Sequence, residues 1–419
     1  MLTLRTSTIA LASALMLVAC GQKTETDAHT APVNSAATEA AADYAATLRS
    51  QLLDAQPGDV IEIPAGNYSF DRSISLSVDN VTIRGAGMDE TILSFKGQVA
   101  GAEGLLVTGD NFTIENLAIE DTKGDALKIN ESRNVVIRGV RTAWNGEPKT
   151  SNGAYGMYPV QCENVLIEDS VAIGASDAGI YVGQSQNIIV RRNRVEYNVA
   201  GLEIENSIGA DVYENIATNN TGGILVFNMP NLPQPGHTTR VYNNDVYENN
   251  TRNFGHPGTP VASVPAGSGI VVNSNDKVEI FDNRIADNKT ANIIISSVYS
   301  TGYEGLSTQD DFDPYPEGIF VHGNELSGGG NAPDGMDLKA LKTLMFGLNG
   351  SFPDVLWDGY VNTEKFPDGV LTGDDRICID NGDAEVLNVD MPNGNDNPVV
   401  DTAPHQCTLE RLPSVNLDI

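Results

Sequence analysis

Lys128, Tyr158, Tyr181 and Glu203 stand at the same point of a repeated short pattern. It reads Ala126-Leu127-Lys128-Ile129, Gly156-Met157-Tyr158-Pro159, Gly179-Ile180-Tyr181-Val182 and Gly201-Leu202-Glu203-Ile204. Tyrosine faces suit stacking on a pyranose ring, and a carboxyl or an amine beside them can carry a proton to or from it. These four residues are the candidate catalytic set. Glu205, two positions beyond Glu203, offers a second carboxyl, as an acid–base partner or a calcium ligand. Tyr155 and the Trp144-Asn145-Gly146 loop would add substrate contacts. Calcium is the one candidate cofactor, and Asp310-Asp311-Phe312-Asp313 and Asp374-Asp375 are further acidic clusters, though neither has the pattern of a dedicated calcium loop. The five histidines have no paired ligand spacing, and there is no Gly-rich phosphate loop or Gly-x-Ser-x-Gly elbow, so zinc, nucleotide and serine-hydrolase chemistries find no support.

What places those residues is a ladder of repeats. Ile83, Ile114, Ile137, Ile167, Val190, Val212, Val241 and Ile280 form one apolar column whose spacing returns to about 22 or 23 residues, a solenoid period. About five residues later comes a second column: Leu117-Ala118-Ile119, Val140-Arg141-Thr142, Val171-Ala172-Ile173, Val195-Glu196-Tyr197, Ile216-Ala217-Thr218, Val246-Tyr247-Glu248 and Ile285-Ala286-Asp287. The third column carries the four candidate residues. We call the three strands A, B and C. Parallel neighbours in a flat sheet would need long crossovers, so three short strands per repeat imply coiling. The expected fold is all-β: a right-handed, single-stranded parallel β-helix of about nine coils, each strand pairing with its counterpart about 4.8 Å away. Asn193, Asn215, Asn244 and Asn283 should form a corner ladder of amides.

Insertions at 143–155 and 251–267 fall between strands B and C, and those at 228–238 and 296–316 between C and the next A. Both corners flanking strand C are thus built up, which should leave its outer row, Lys128, Tyr158, Tyr181, Glu203, Leu225 and Val271, as the floor of a groove. The outer row of strand A, Arg84, Glu115, Arg138, Glu168, Arg191, Tyr213, Tyr242 and Phe281, reads as a salt-bridge ladder followed by an aromatic one. Strand B, with Ala118, Ala172, Ala217 and Ala286 taken as outward, should be a small, bland face. The open ends of a stack need caps. A helix over 43–57 would close the start, the β-helix would run over 58–330, and 331–419, with a helix over 334–346, would form a C-terminal cap.

Residues 1–19 carry Arg5 and an apolar run from Ile9 to Val18, too short to cross a bilayer and so expected as a signal peptide. Leu17-Val18-Ala19-Cys20 resembles a bacterial lipobox, which implies acylation of Cys20, and Gly21 after it implies the outer membrane; residues 20–42 would then be a polar tether. Membrane contact would be through the lipid alone. Export favours a disulfide between Cys378 and Cys407 and leaves Cys162 as a small buried residue. A net charge of −31 over 419 residues argues against nucleic acid as a partner.

The repeat chemistry and the entry segment Gln56–Tyr68 resemble the pectate-lyase-like parallel β-helix superfamily, in particular a group of uncharacterised Gram-negative β-helix repeat lipoproteins. Such proteins often act on acidic polysaccharides as lyases, epimerases or hydrolases. Tyr155-Gly156-Met157-Tyr158-Pro159-Val160-Gln161 also resembles the Tyr-Gly-Phe-Asp-Pro-His-Asp motif of mannuronan C5-epimerases. Tyr158, Val160 and Gln161 replace that motif's Asp, His and Asp, so epimerase activity is not carried over. Two readings follow. One is an envelope lipoprotein that binds, and cleaves or remodels, an extracellular polysaccharide along strand C; the other is a non-catalytic adhesin, scaffold or docking module for an envelope protein.

Overall fold

The structure, a computed structural model, describes residues 35–302 and 312–419, with side chains from residue 44 onward. Cys20, most of the expected tether, and Asp310 and Asp311 lie outside the described residues. No described helix is long and apolar enough to cross a membrane.

The chain is a right-handed parallel β-helix. Strands A and B share one 19-stranded sheet, and strand C forms a 12-stranded sheet that faces it across the core. The bend from A to B is made by single residues in the left-handed region, among them Asn116, Asp169, Glu214, Asn243 and Asp282, at φ between 52 and 60°. Asn and Asp tolerate that conformation better than other residues with a Cβ, which is why they punctuate the repeat.

The strand A column is in the expected register and longer than expected. It runs through Ile61, Ile83, Ile114, Ile137, Ile167, Val190, Val212, Val241, Ile280, Val321 and Ile379. These eleven rungs exceed the nine expected: ten fall within 58–330, and the last is added because residues beyond 330 rejoin the stack. Val355–Trp357 and Val386–Asn388 extend the strand C sheet, and Ile377–Asp380 extends strand A. The first helix, α1 (Ser35–Asp54), begins ahead of residue 43 because the Ala-rich run before it is a strong helix former; Leu48 and Leu52 cover the first coil.

The outer row of strand A also pairs as expected. Glu115 takes Arg84 at 2.5 Å and Arg138 at 3.5 Å, while Glu168 takes Arg138 at 2.6 Å and Arg191 at 2.7 Å. Tyr213, Tyr242, Phe281 and His322 then stack with centroids 4.8, 4.8 and 5.2 Å apart, within 10° of parallel.

Strand B differs from the expectation. Thr142 pairs with Ala172, Ala172 with Val195, Val195 with Ala217 and Ala217 with Val246, and Ala172, Val195, Ala217 and Val246 all pack in the core. Ala172 and Ala217 therefore point inward, while Ala118, paired with Arg141, and Ala286, paired with Tyr247, face outward as expected. The outer row reads Arg141, Val171, Arg194, Ile216, Asp245 and Arg284, which is neither small nor bland.

The asparagine ladder extends to Asn324 and Asn381. A second, unforeseen ladder of Asn198, Asn220, Asn249 and Asn288 lines the corner between strands B and C. Asn215 is typical: its amide nitrogen donates to the Val190 carbonyl at 2.9 Å and the Asn244 side-chain oxygen at 3.0 Å, and its own oxygen accepts from the Asn193 backbone and side chain. Asn215→Ala should leave a buried carbonyl and N–H without partners and cost on the order of 3 kcal/mol in chemical denaturation, while a surface Asn→Ala control leaves the midpoint unchanged.

Cys378 and Cys407 form the expected disulfide, with Cα atoms 4.9 Å apart. Cys162 is buried in a corner row where neighbouring coils have Ser132, Ser185 and Ser207, and burial pushes its thiol up to about 11. After the disulfide the chain runs back across the outside of strand A. Arg411 pairs with Glu279 and lies 4.3 Å from the Phe281 ring centre, Leu412 N–H donates to Glu279 at 3.1 Å, and Val415 N–H donates to Asp211 at 3.2 Å.

Candidate functional site

The expected row is formed on strand C. Lys128 lies beside Tyr158, Tyr181 beside Glu203, Glu203 beside Leu225 and Leu225 beside Val271; Met157 opposite Ile180 brings Tyr158 next to Tyr181. Tyr155 joins from the start of the same strand. The three tyrosine rings pack mutually, with centroids 4.3 Å (155–158), 4.8 Å (155–181) and 5.0 Å (158–181) apart. The Lys128 ammonium sits 5.0 Å from the centre of the Tyr158 ring. Tyr181 folds along its strand across Gly183 to donate its hydroxyl to Glu205 on the next coil, and Gln184 donates to that hydroxyl at 3.0 Å. A Cβ at position 183 would lie 2.2 Å from the tyrosine ring, so a glycine is required there.

Two carboxyls not foreseen complete the group. Asp177 lies near the Tyr155 hydroxyl, and Asp125 lies near Lys128 and Tyr158. Each precedes the small residue that opens strand C, Ala178 and Ala126, so the signal was present in the repeat but not read. Asp177 and Glu203 are buried and Glu205 is half-buried. Burial, and then the charge of Glu205, pushes Asp177 up to about 8. Glu203 is raised well above the usual carboxylate range by burial and by Glu205 and Asp177. Burial lifts Glu205 to about 7 against the opposing Tyr181 hydrogen bond, and it lifts Asp125 to about 6 against the opposing charge of Lys128. Glu203 is only 4 % exposed and has no hydrogen-bond or ion-pair partner among the described residues. Several carboxyls that hold protons near neutral pH in one place can donate as well as accept them.

The groove is shorter than expected. Leu225 is fully buried and Val271 nearly so, because the insertions fold down on them: Met229, Val261, Val264 and Val298, with Leu232 and Phe312, build a second apolar core over this part of the row. Those loops carry enough Val, Met and Phe to bury themselves, so they roof the floor instead of flanking it. Lys128, Tyr155 and Tyr158 remain half-exposed at the other end. Trp144 is not a lid. Its ring packs in the main core and its indole N–H donates to the Thr122 carbonyl at 2.7 Å, a better place for a large apolar ring than solvent.

Enclosed space and chemistry do not coincide. Cavities of about 340 and 270 Å³ lie near the C-terminal end, and the smaller continues the strand C face past the second core, over Val271 and Ile294. Its buried carboxylate, Asp358, is fully engaged by Ser297 N–H at 2.6 Å, the Ser300 hydroxyl at 2.5 Å and Tyr360 N–H at 3.1 Å. The carboxylate–tyrosine group is therefore the candidate site. No three described His, Cys, Asp or Glu side chains are gathered closely enough to hold a metal ion, and Asp375 is paired with Lys365 at 3.1 Å.

No curated protein matches the sequence. Among solved structures, the A-module of the Azotobacter vinelandii mannuronan C-5 epimerase AlgE4 aligns over 76 % of this chain and 86 % of its own, at 18 % identity and a TM-score of 0.49. A GH87 α-1,3-glucanase catalytic unit from Streptomyces thermodiastaticus aligns over 75 % of this chain and 47 % of its own, at 16 % and 0.46. A DFA-IIIase from Arthrobacter chlorophenolicus aligns over 76 and 87 %, at 12 % and 0.42. At these identities the likeness is one of fold. The sequence itself matches the right-handed β-helix region over residues 69–233 and 150–309, more than half the chain. With the coil geometry above, this shows that the chain belongs to the right-handed β-helix family.

Proposed function

We propose that this protein binds a polysaccharide on the outer face of strand C and cleaves it by carboxyl acid–base chemistry at Asp177, Glu203 and Glu205. The observation that carries the reading is the juxtaposition of these proton-holding carboxyls with the half-exposed Tyr155 and Tyr158 rings, which pack on the buried Tyr181. A sugar stacks on Tyr158, a protonated carboxyl delivers its proton to the glycosidic oxygen as the bond to carbon breaks, and an ionised neighbour takes a proton from the attacking water. Coils repeat about every 4.8 Å, so successive sugar units meet successive coils. In the same proposal Cys20 carries the lipid that holds the protein at the outer membrane.

Proton NMR of acidic and neutral polysaccharides, before and after incubation with the protein and with and without calcium, tests this. New reducing-end signals that fall at least about 100-fold in rate in Glu203→Gln, and are lost in Tyr158→Ala plus Tyr181→Ala, are the expected result. Unsaturated or epimerised products would replace hydrolysis by lyase or epimerase chemistry. Unchanged spectra throughout would exclude catalysis on those polymers and leave the non-catalytic envelope module.

A further inference from the structure

Resting on the site just proposed, we infer that its substrate is a glycan with free amino groups, whose protonated amine is held between the tyrosine rings and the Glu203 carboxylate. The half-exposed Tyr155 and Tyr158 rings beside acidic groups form an arrangement that attracts an ammonium ion, since the negative face of a ring and a carboxylate act in the same sense. The protein already places one ammonium there: Lys128 Nζ lies 5.0 Å from the centre of the Tyr158 ring. Glu203 supplies the independent sign of a missing ligand. It is 4 % exposed and lacks a partner among the described residues, and its neighbours Asp177 and Glu205 are also acids. A charge buried in that way calls for a counter-charge or a proton.

A uronate would bring a carboxylate toward four acidic side chains, Asp125, Asp177, Glu203 and Glu205, with Lys128 as the cation on this row. That cation is already shared with Tyr158 and influences Asp125. The acidic polymers on which β-helix enzymes often act therefore fit poorly. An amino sugar meets the same groups with the opposite sign. When its ammonium enters, the carboxyls it faces are driven to ionise, so binding should release protons to the solvent.

The test is isothermal titration of the full chain with three tetramers of equal length: glucosamine, N-acetylglucosamine and mannuronate. Each is titrated in two buffers of different ionisation heat at pH 7. The expected result is binding of the glucosamine tetramer at least tenfold tighter than either other tetramer, with net proton release, and a loss of at least tenfold in Glu203→Gln. A general attraction of cations to a chain of net charge −31 would give binding that Glu203→Gln leaves unchanged, and that result overturns the inference. So does tighter binding of the N-acetylated or mannuronate tetramer; if Tyr158→Ala plus Tyr181→Ala abolishes it, glycan binding on strand C stands and only the amine is wrong. Failure of all three to bind would remove both. Glu203→Gln replaces a buried carboxyl that has no partner among the described residues with a neutral side chain of the same size, so misfolding does not confuse the comparison, and circular dichroism verifies this.

Discussion

Ile180→Asp and Ala172→Asp should each unfold the protein or lower its stability by more than about 5 kcal/mol, whereas Val171→Asp should change it by less than about 1 kcal/mol. Ile180 is fully buried between Met157 and Leu202 on neighbouring coils, and Ala172 is fully buried between Thr142 and Val195. A carboxylate at either place would be desolvated among apolar core residues with no cation paired beside it on the neighbouring coils. Val171 faces outward between Arg141 and Arg194, so an aspartate there meets two guanidinium groups. Thermal and urea unfolding of the three variants decides the register. Sensitivity at Val171 with tolerance at Ala172 would turn strand B over by one residue.

That pair of neighbours also marks where the sequence ceased to be readable. In strand A each inward Ile or Val of the column from Ile83 to Ile280 is followed by an outward Arg, Glu, Tyr or Phe, and that step fixed the register although the outward residues before it, Val136, Leu166 and Ile189, are apolar. Strand B has three residues per coil, and in Val171-Ala172-Ile173 the larger apolar side chains face out. Hydrophobicity there points to the wrong face, and only the pairing with Thr142 and Val195 corrects it. The candidate row on strand C was legible because Gly179 and Gly201 anchor its alignment. Its roof was not, because whether a loop stands beside a groove or folds into it depends on which apolar loop residues meet. Val264 and Met229, from different insertions, come together only in the folded coil.

A second large effect concerns pH. Asp177 and Glu205 have folded pKa values of about 8 and 7, against ordinary values of 3.8 and 4.5. Each binds its proton more tightly in the folded chain. Their contribution to stability is therefore complete below about pH 4 and is lost as pH rises through 7 and then 8. Glu168 acts in the opposite sense. Against the upward push of its burial, hydrogen bonds from Arg138, Arg191 and Arg192 hold it at about 2, so its contribution is present above pH 4.5 and lost as the pH falls toward 2. Stability should peak near pH 5 and fall by several kcal/mol by pH 8.5. Asp177→Asn and Glu203→Gln should flatten the alkaline limb and raise the melting temperature at pH 8.5 by a few degrees while abolishing activity. A flat profile between pH 5 and 8.5 in the unaltered protein would show that these carboxyls are not charged at the expense of the fold. Groups placed for chemistry commonly reduce stability in this way.

The returning C-terminal segment changes how such a stack can fail. Coils that touch only their neighbours can be peeled from one end, each release being a small separate event. Here Leu412 and Val415 grip Glu279 and Asp211, residues 133 and 204 positions earlier, and the Cys378–Cys407 bond fastens the segment to the last coil of strand A. A pull on the C-terminus is therefore met first by shear along several coils at once, as a seam resists better than the lip of an envelope. The free end of the solenoid is tied back to its middle, and the stack gains resistance to unravelling from that end.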